Sequence, residues 1–132
     1  MVIDTSALLA LLFKEPAGEW VREQVMAPSS AVRMSTVNLA EALIVVRDRF
    51  PRRAIAMERR ILRSGVDFVP PSVEHASIAA AARLMFPLNL GDCFAYALAM
   101  TTGEPLLTLD TDFRHTDVQC MFPPDFGALS VV

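Results

Sequence analysis

The chain has 132 residues, enough for one domain and too few for two of ordinary size. Hydrophobic residues make up 53% of it, so a sizeable core can be buried and disorder over most of the length is excluded. A formal net charge of −3 excludes a general nucleic-acid coat, whose affinity for phosphate comes from Lys and Arg.

The longest apolar runs, residues 7–13 and 42–46, fall far short of a bilayer span, so no membrane association is expected. Met1 leads straight into Val2-Ile3-Asp4 with no basic segment or cleavage site, and no secretory export is expected either. Cys93 and Cys120 form no CxxC pair and suit a reducing cytoplasm, where both read as small core residues. No repeat or linker divides the chain, which reads as a single domain over 1–132 with an irregular tail from residue 122.

In chain order, residues 1–4 read as a short apolar strand with Thr5 and Ser6 starting a helix over 7–13 that Glu15-Pro16 closes. Residues 17–26 form a second helix with Trp20 and Val21 inward and Glu19, Arg22 and Glu23 outward. A strand follows at 31–35, then a helix capped by Asn38 and running to about Arg49. Pro51 suits the first turn of the next helix, which ends at Ser64-Gly65. Residues 66–69 are a strand and 73–85 an alanine-rich helix; 87–91 are a loop, and 92–102 a helix stopped by Gly103. A strand at 106–109, a short turn at 112–115 and a last strand at 118–121 complete the pattern. Short apolar strands alternating with helices predict an α/β fold with a parallel sheet covered on both faces, and ligands collecting at the strands' carboxyl ends.

The acidic residues fall where that rule would put a site. Asp4 ends the first strand, although it would equally serve as a helix N-cap. Glu41 sits among Leu39, Ala40, Ala42 and Leu43-Ile44-Val45-Val46, and a carboxylate in so apolar a helix must be neutral, paired with an arginine such as Arg47, or bound to a cation. Asp92 opens a helix of small and apolar residues, where the macrodipole would also favour it. Asp110 and Asp112 follow the strand at 106–109 and would be ordinary turn residues if taken singly. Together they form a set that repels itself unless divalent charge offsets it, and oxygen ligands select magnesium or manganese.

Competing chemistries lack their residues. His75 and His115 stand alone as surface or helix-end residues, so zinc has no ligand set. There is no GxGxxG, GxxxxGK[ST] or GxSxG segment. A phosphoaspartate mechanism would want an acid two residues after Asp4, where Ser6 stands. Seven of the twelve basic residues crowd into one stretch (Arg47, Arg49, Arg52, Arg53, Arg59, Arg60 and Arg63), read either as a solvated helical surface or as a face that tracks phosphates.

Four segments carry a resemblance. Val2-Ile3-Asp4-Thr5-Ser6-Ala7-Leu8-Leu9, Ser35-Thr36-Val37-Asn38-Leu39-Ala40-Glu41, Leu90-Gly91-Asp92-Cys93-Phe94-Ala95-Tyr96-Ala97-Leu98-Ala99 and Gly103-Glu104-Pro105-Leu106-Leu107-Thr108-Leu109-Asp110-Thr111-Asp112-Phe113 resemble, in order, the motifs of the PIN-domain nucleases, most nearly the VapC-type toxins of toxin–antitoxin pairs. The resemblance covers roughly residues 1–120. It implies a three-layer α/β/α PIN-like domain with a central, mostly parallel sheet of four to five strands. It also implies a magnesium- or manganese-dependent endoribonuclease in which Asp4, Glu41 and Asp92 are the site acids. Asp4 and Asp92 would be the principal metal ligands, with Glu41 and a fourth acid beside them. That fourth acid is Asp110 or Asp112, with Asp110 favoured for the metal. Thr5, Ser6, Asn38 and Thr108 are the polar neighbours expected to support the set. The implied partners are an RNA substrate, a small VapB-like antitoxin and a second copy of the chain, in the cytoplasm. The alternatives are a non-catalytic PIN-fold binding module, and a phosphatase or DNA nuclease using the same acids.

Overall fold

The computed structural model describes residues 1–27 and 31–124; the expected tail lies outside the described residues from 125 onward. The elements run β1 (Val2–Ile3), α1 (Thr5–Leu12), α2 (Gly18–Val25), β2 (Arg33–Ser35), α3 (Thr36–Arg49), α4 (Ala54–Leu62), β3 (Asp67–Val69), α5 (Val73–Met85), α6 (Leu90–Thr102), β4 (Leu106–Leu107), a 3-10 turn (Thr111–His115) and β5 (Cys120–Met121). Five strands pair in the order β3-β2-β1-β4-β5, and every pairing is parallel.

Alternation along the two central strands builds a core on each face. Val2 and Leu106 turn to one side, packing with Ala79, Ala82, Leu88, Leu98 and Phe113 under α5 and α6. Ile3 and Leu107 turn to the other, packing with Ala7, Leu8, Val21, Ala42 and Ile61 under α1 to α4. All four strand residues are at most 2% exposed, so the sheet is a buried middle layer between two helical layers. This is the three-layer arrangement expected, with five strands.

Several helix starts differ from the sequence reading. Asn38 does not cap α3; Ser35, in extended backbone, accepts the Val37 N–H at 3.2 Å and starts the helix earlier. Asn38 is thereby the third helical residue, with its side chain buried. Asp92 does not open α6, because Asn89 caps it by accepting the Asp92 N–H at 2.8 Å, and Leu90-Gly91 are already helical. Pro51 lies in a turn before α4, not in its first turn. One side of α3 faces outward despite its apolar run: Ile44 is 67% exposed and Arg47 pairs with Glu58.

In one respect the topology decides where chemistry can occur. From β1 the chain passes to β2 and β3 on one side, then returns to β4 and β5 on the other. The reversal falls between β1 and β4, and in parallel sheets ligands bind outside the carboxyl ends of the strands at such a point.

Candidate active site

Asp4 follows β1 at that reversal, and Thr108 follows β4 beside it. Asp4 Oδ1 accepts the Ala7 N–H at 3.0 Å and the Ser6 hydroxyl at 2.7 Å, and Oδ2 accepts the Thr108 hydroxyl at 2.5 Å. Each hydroxyl is itself fixed from the β4 exit: Thr108 Oγ1 accepts the Asp110 N–H at 2.9 Å, and Ser6 Oγ the Leu109 N–H at 3.0 Å. Asp4 is therefore a helix cap and also a strand-edge carboxylate. It is 2% exposed, and burial pushes its pKa up to about 6 although three hydrogen bonds oppose the rise; Asp110 adds repulsion.

Asp92, in the first turn of α6, points at the same place. Its pKa rises to about 7, first through burial, then through the charges of Asp110 and Asp4 and a hydrogen bond shared with Asp110. Asp4, Asp92 and Asp110 thus act on one another electrostatically, although they come from three separate elements. Asp110 is partly buried, and its Oδ1 accepts the Asp112 N–H at 2.9 Å, capping the 3-10 turn. Asp112 is exposed and is tied to the group through that backbone contact.

Glu41 reaches the cluster by another route. Its Oε1 accepts the Thr5 hydroxyl at 2.8 Å and the Asn38 amide at 2.9 Å. The same Asn38 amide donates to the Gly91 carbonyl at 3.0 Å, while Asn38 Oδ1 is buried with no partner among the described residues. Thr5 adjoins Asp4 and Gly91 adjoins Asp92, so Glu41 is anchored beside both. The arginine pairing weighed for Glu41 does not form: Arg47 is engaged by Glu58, and among the described residues no ion pair involves Asp4, Glu41, Asp92 or Asp110. Gly91 is a residue the sequence reading passed over. The sequence reading places it in the loop over 87–91, and only the structure makes it helical.

Among the described residues the other candidate chemistries find no support. Burial raises the Cys120 thiol to about 11, with Asp4 adding to the rise, and it also raises the Cys93 thiol, so neither is a ready nucleophile. His75 caps α5, accepting the Ser72 N–H at 3.1 Å, as a helix-end residue should. A concavity of about 480 Å³ between α1, α2 and α4 is lined by Leu8, Leu11 and Val25 and by none of these acids.

The chain matches the PIN domain family over residues 1–119. It is 38% identical over 132 residues to ribonuclease VapC30 of Mycobacterium tuberculosis, covering 94% of this chain and all of that protein. In fold it resembles the crystal structure of VapC20 of Mycobacterium tuberculosis, a sarcin–ricin loop cleaving toxin, with a TM-score of 0.72 at 19% identity over 89% of this chain and 95% of that one. It likewise resembles DNA-bound VapBC from Salmonella typhimurium, with a TM-score of 0.74 at 18% identity over 91% of this chain and 95% of that one.

Proposed function

Since the chain belongs to the PIN-domain family, we propose that it is a divalent-metal-dependent endoribonuclease, the toxin of a toxin–antitoxin pair, centred on Asp4, Glu41, Asp92 and Asp110. The observation that carries the reading is the convergence of Asp4, Asp92 and Asp110 beside the carboxyl ends of β1 and β4, with no ion pair to any of them among the described residues.

The residues fit a hard cation. Their donors are all oxygen, and the raised pKa values of Asp4 and Asp92 mark carboxylates held where negative charge lacks an offset. Among the described residues no group of three or more His, Cys, Asp or Glu is placed to hold an ion, so a smaller set of carboxylates would have to do so. Magnesium suits such an open set, since it takes one or two carboxylates and completes its shell with water and substrate phosphate. Asp4 and Asp92 would hold it, with Asp110 beside them. Bound there, the cation would polarise the phosphoryl oxygen and make a water more acidic.

The chain's own groups account for the remaining steps. Ser6 and Thr108 fix both oxygens of Asp4. Thr5 and Asn38 hold Glu41 by Oε1, which leaves Oε2 to orient the attacking water and accept its proton. Asp112, exposed at the rim, is the alternative fourth acid. The set works within one domain spanning 1–132, in a cytoplasmic protein, with a second copy of the chain and a small VapB-like antitoxin as partners. Among the described residues no helix is long and apolar enough to cross a membrane.

The test offers single-stranded RNA, single-stranded DNA and a small phosphomonoester to the protein with magnesium or manganese. RNA alone should be cleaved, and Asp4→Asn or Asp92→Asn should lower that rate by at least about a hundredfold. No cleavage of RNA by the parent chain, or equal cleavage by both variants, would end the proposal.

A further inference from the structure

We propose that Gly91 is a positioning residue for Glu41, its missing side chain forming the seat on which the Glu41 carboxyl group rests. This rests on the reading of Glu41 as the acid that handles the attacking water.

Gly91 is the second residue of α6, where glycine is a poorer choice than alanine because it leaves the chain more freedom to lose on folding. Backbone geometry does not require it. The glycines in left-handed conformation among the described residues are Gly65 and Gly103, so an L side chain could follow the Gly91 backbone without strain. What lacks room is the neighbouring side chain. A Cβ built on Gly91 would overlap the Glu41 carboxyl group, whose Oε1, Oε2 and Cδ are the three nearest heavy atoms, the farthest only 2.5 Å away.

Gly18 provides the contrast. Its nearest neighbours would be the Ala10 carbonyl and the Leu11 backbone, so there a methyl group would press two helices apart. At Gly91 the obstacle is the far end of a flexible side chain, which can move while the fold stays. The glycine therefore serves the placement of one carboxyl group rather than the packing of two elements.

Asn38 ties the seat to its occupant. One amide nitrogen donates to the Gly91 carbonyl at 3.0 Å and to Glu41 Oε1 at 2.9 Å. The amide is fully buried and leaves Oδ1 without a partner among the described residues, an arrangement unfavourable for stability. Two structurally unfavourable choices, a helical glycine and a half-satisfied buried amide, thus meet on the same carboxyl group.

The experiment uses Gly91→Ala, Glu41→Gln and their combination in the full chain, with three readouts. In metal-free protein the Glu41 carboxyl carbon signal, followed by NMR at fixed pH, should shift in Gly91→Ala, while the melting temperature stays level or rises. In RNA cleavage kcat should fall at least tenfold with KM within twofold of the parent. In the Glu41→Gln background Gly91→Ala should cause no further loss. An unmoved Glu41 signal, a melting temperature several degrees lower, or an equal loss of kcat in the Glu41→Gln background would overturn the proposal. Should the parent chain cleave no RNA at all, the functional reading fails by itself, and the NMR and melting readouts still decide whether Gly91 seats Glu41.

Discussion

Thr108 and Asp4 are 104 positions apart in the chain, yet the threonine hydroxyl donates to Asp4 Oδ2 at 2.5 Å and both groups are buried. The bond joins the exits of the two strands that flank the topological reversal, so it ties the fold's central seam to the most deeply buried of the acids. Replacing Thr108 by valine keeps the shape and removes the donor. Because that hydrogen bond holds the Asp4 pKa down, its loss should move the Asp4 titration above about 6, as followed by carboxyl NMR. It should also lower stability by about 1 kcal/mol. An unshifted Asp4 titration would contradict this geometry.

Metal-free protein should lose stability as the pH rises from 4 to 8. Asp4 titrates near 6 and Asp92 near 7 in the fold, against 3.8 for an ordinary aspartate, so the folded state binds more protons through this interval. Their contribution is fully present below about 4 and disappears as the pH passes through the folded values. For buried Asp4 the shift corresponds to about 3 kcal/mol. Melting temperatures measured in chelator should therefore fall toward neutral pH. Asp4→Asn should flatten the slope, and millimolar magnesium should restore stability most at pH 8. A metal-free melting temperature that climbs steadily with pH would show these carboxylates are compensated.

Two arginines of the basic stretch, Arg49 and Arg53, stack on aromatic rings. Arg49 lies over the Phe13 ring at 5.6 Å, Arg53 over Phe50 at 5.9 Å, and the two rings are 5.2 Å apart. α1 starts at Asp4 and runs back about 12 Å before Phe13 follows it. Replacing Arg49 and Arg53 together by alanine should cost about 1–2 kcal/mol and lower the melting temperature by several degrees, with the RNA cleavage rate within twofold of the parent. A large loss of RNA affinity with a shallower salt dependence would instead make this row a phosphate contact.

Gly18→Ala should be destabilising in a way Gly91→Ala is not. Its Cβ would lie 2.5 Å from the Ala10 carbonyl oxygen, where α1 and α2 meet, so backbone must shift. A loss of about 1–3 kcal/mol in chemical denaturation is expected. Unchanged stability would mean the two helices can separate freely.

The fold was largely legible in the sequence because apolar runs and their breaks report burial directly. Val2-Ile3 and Leu106-Leu107 are apolar on both sides because both of their faces are covered. Helix α5 falls at the residues expected, 73 to 85. The helix starts were harder to place where several cap-forming residues lie close together. Ser35 and Asn38 compete for one end and Asn89 and Asp92 for another, and the choice depends on where the preceding strand or loop leaves the backbone. Of the site, the strand-edge location of Asp4 could be read from order alone. The seat of Glu41 could not, because it depends on the approach of α3 to α6 and on an atom that glycine lacks.

The most direct measurement is the rate of RNA cleavage against magnesium concentration for the parent chain and for Asp92→Asn. A shared carboxylate centre requires saturable activation of the parent and no activation of the variant at any concentration reached, with the variant's fold intact by circular dichroism. Cleavage by the parent that persists in chelator, or an Asp92→Asn curve that superimposes on the parent's, would contradict the account.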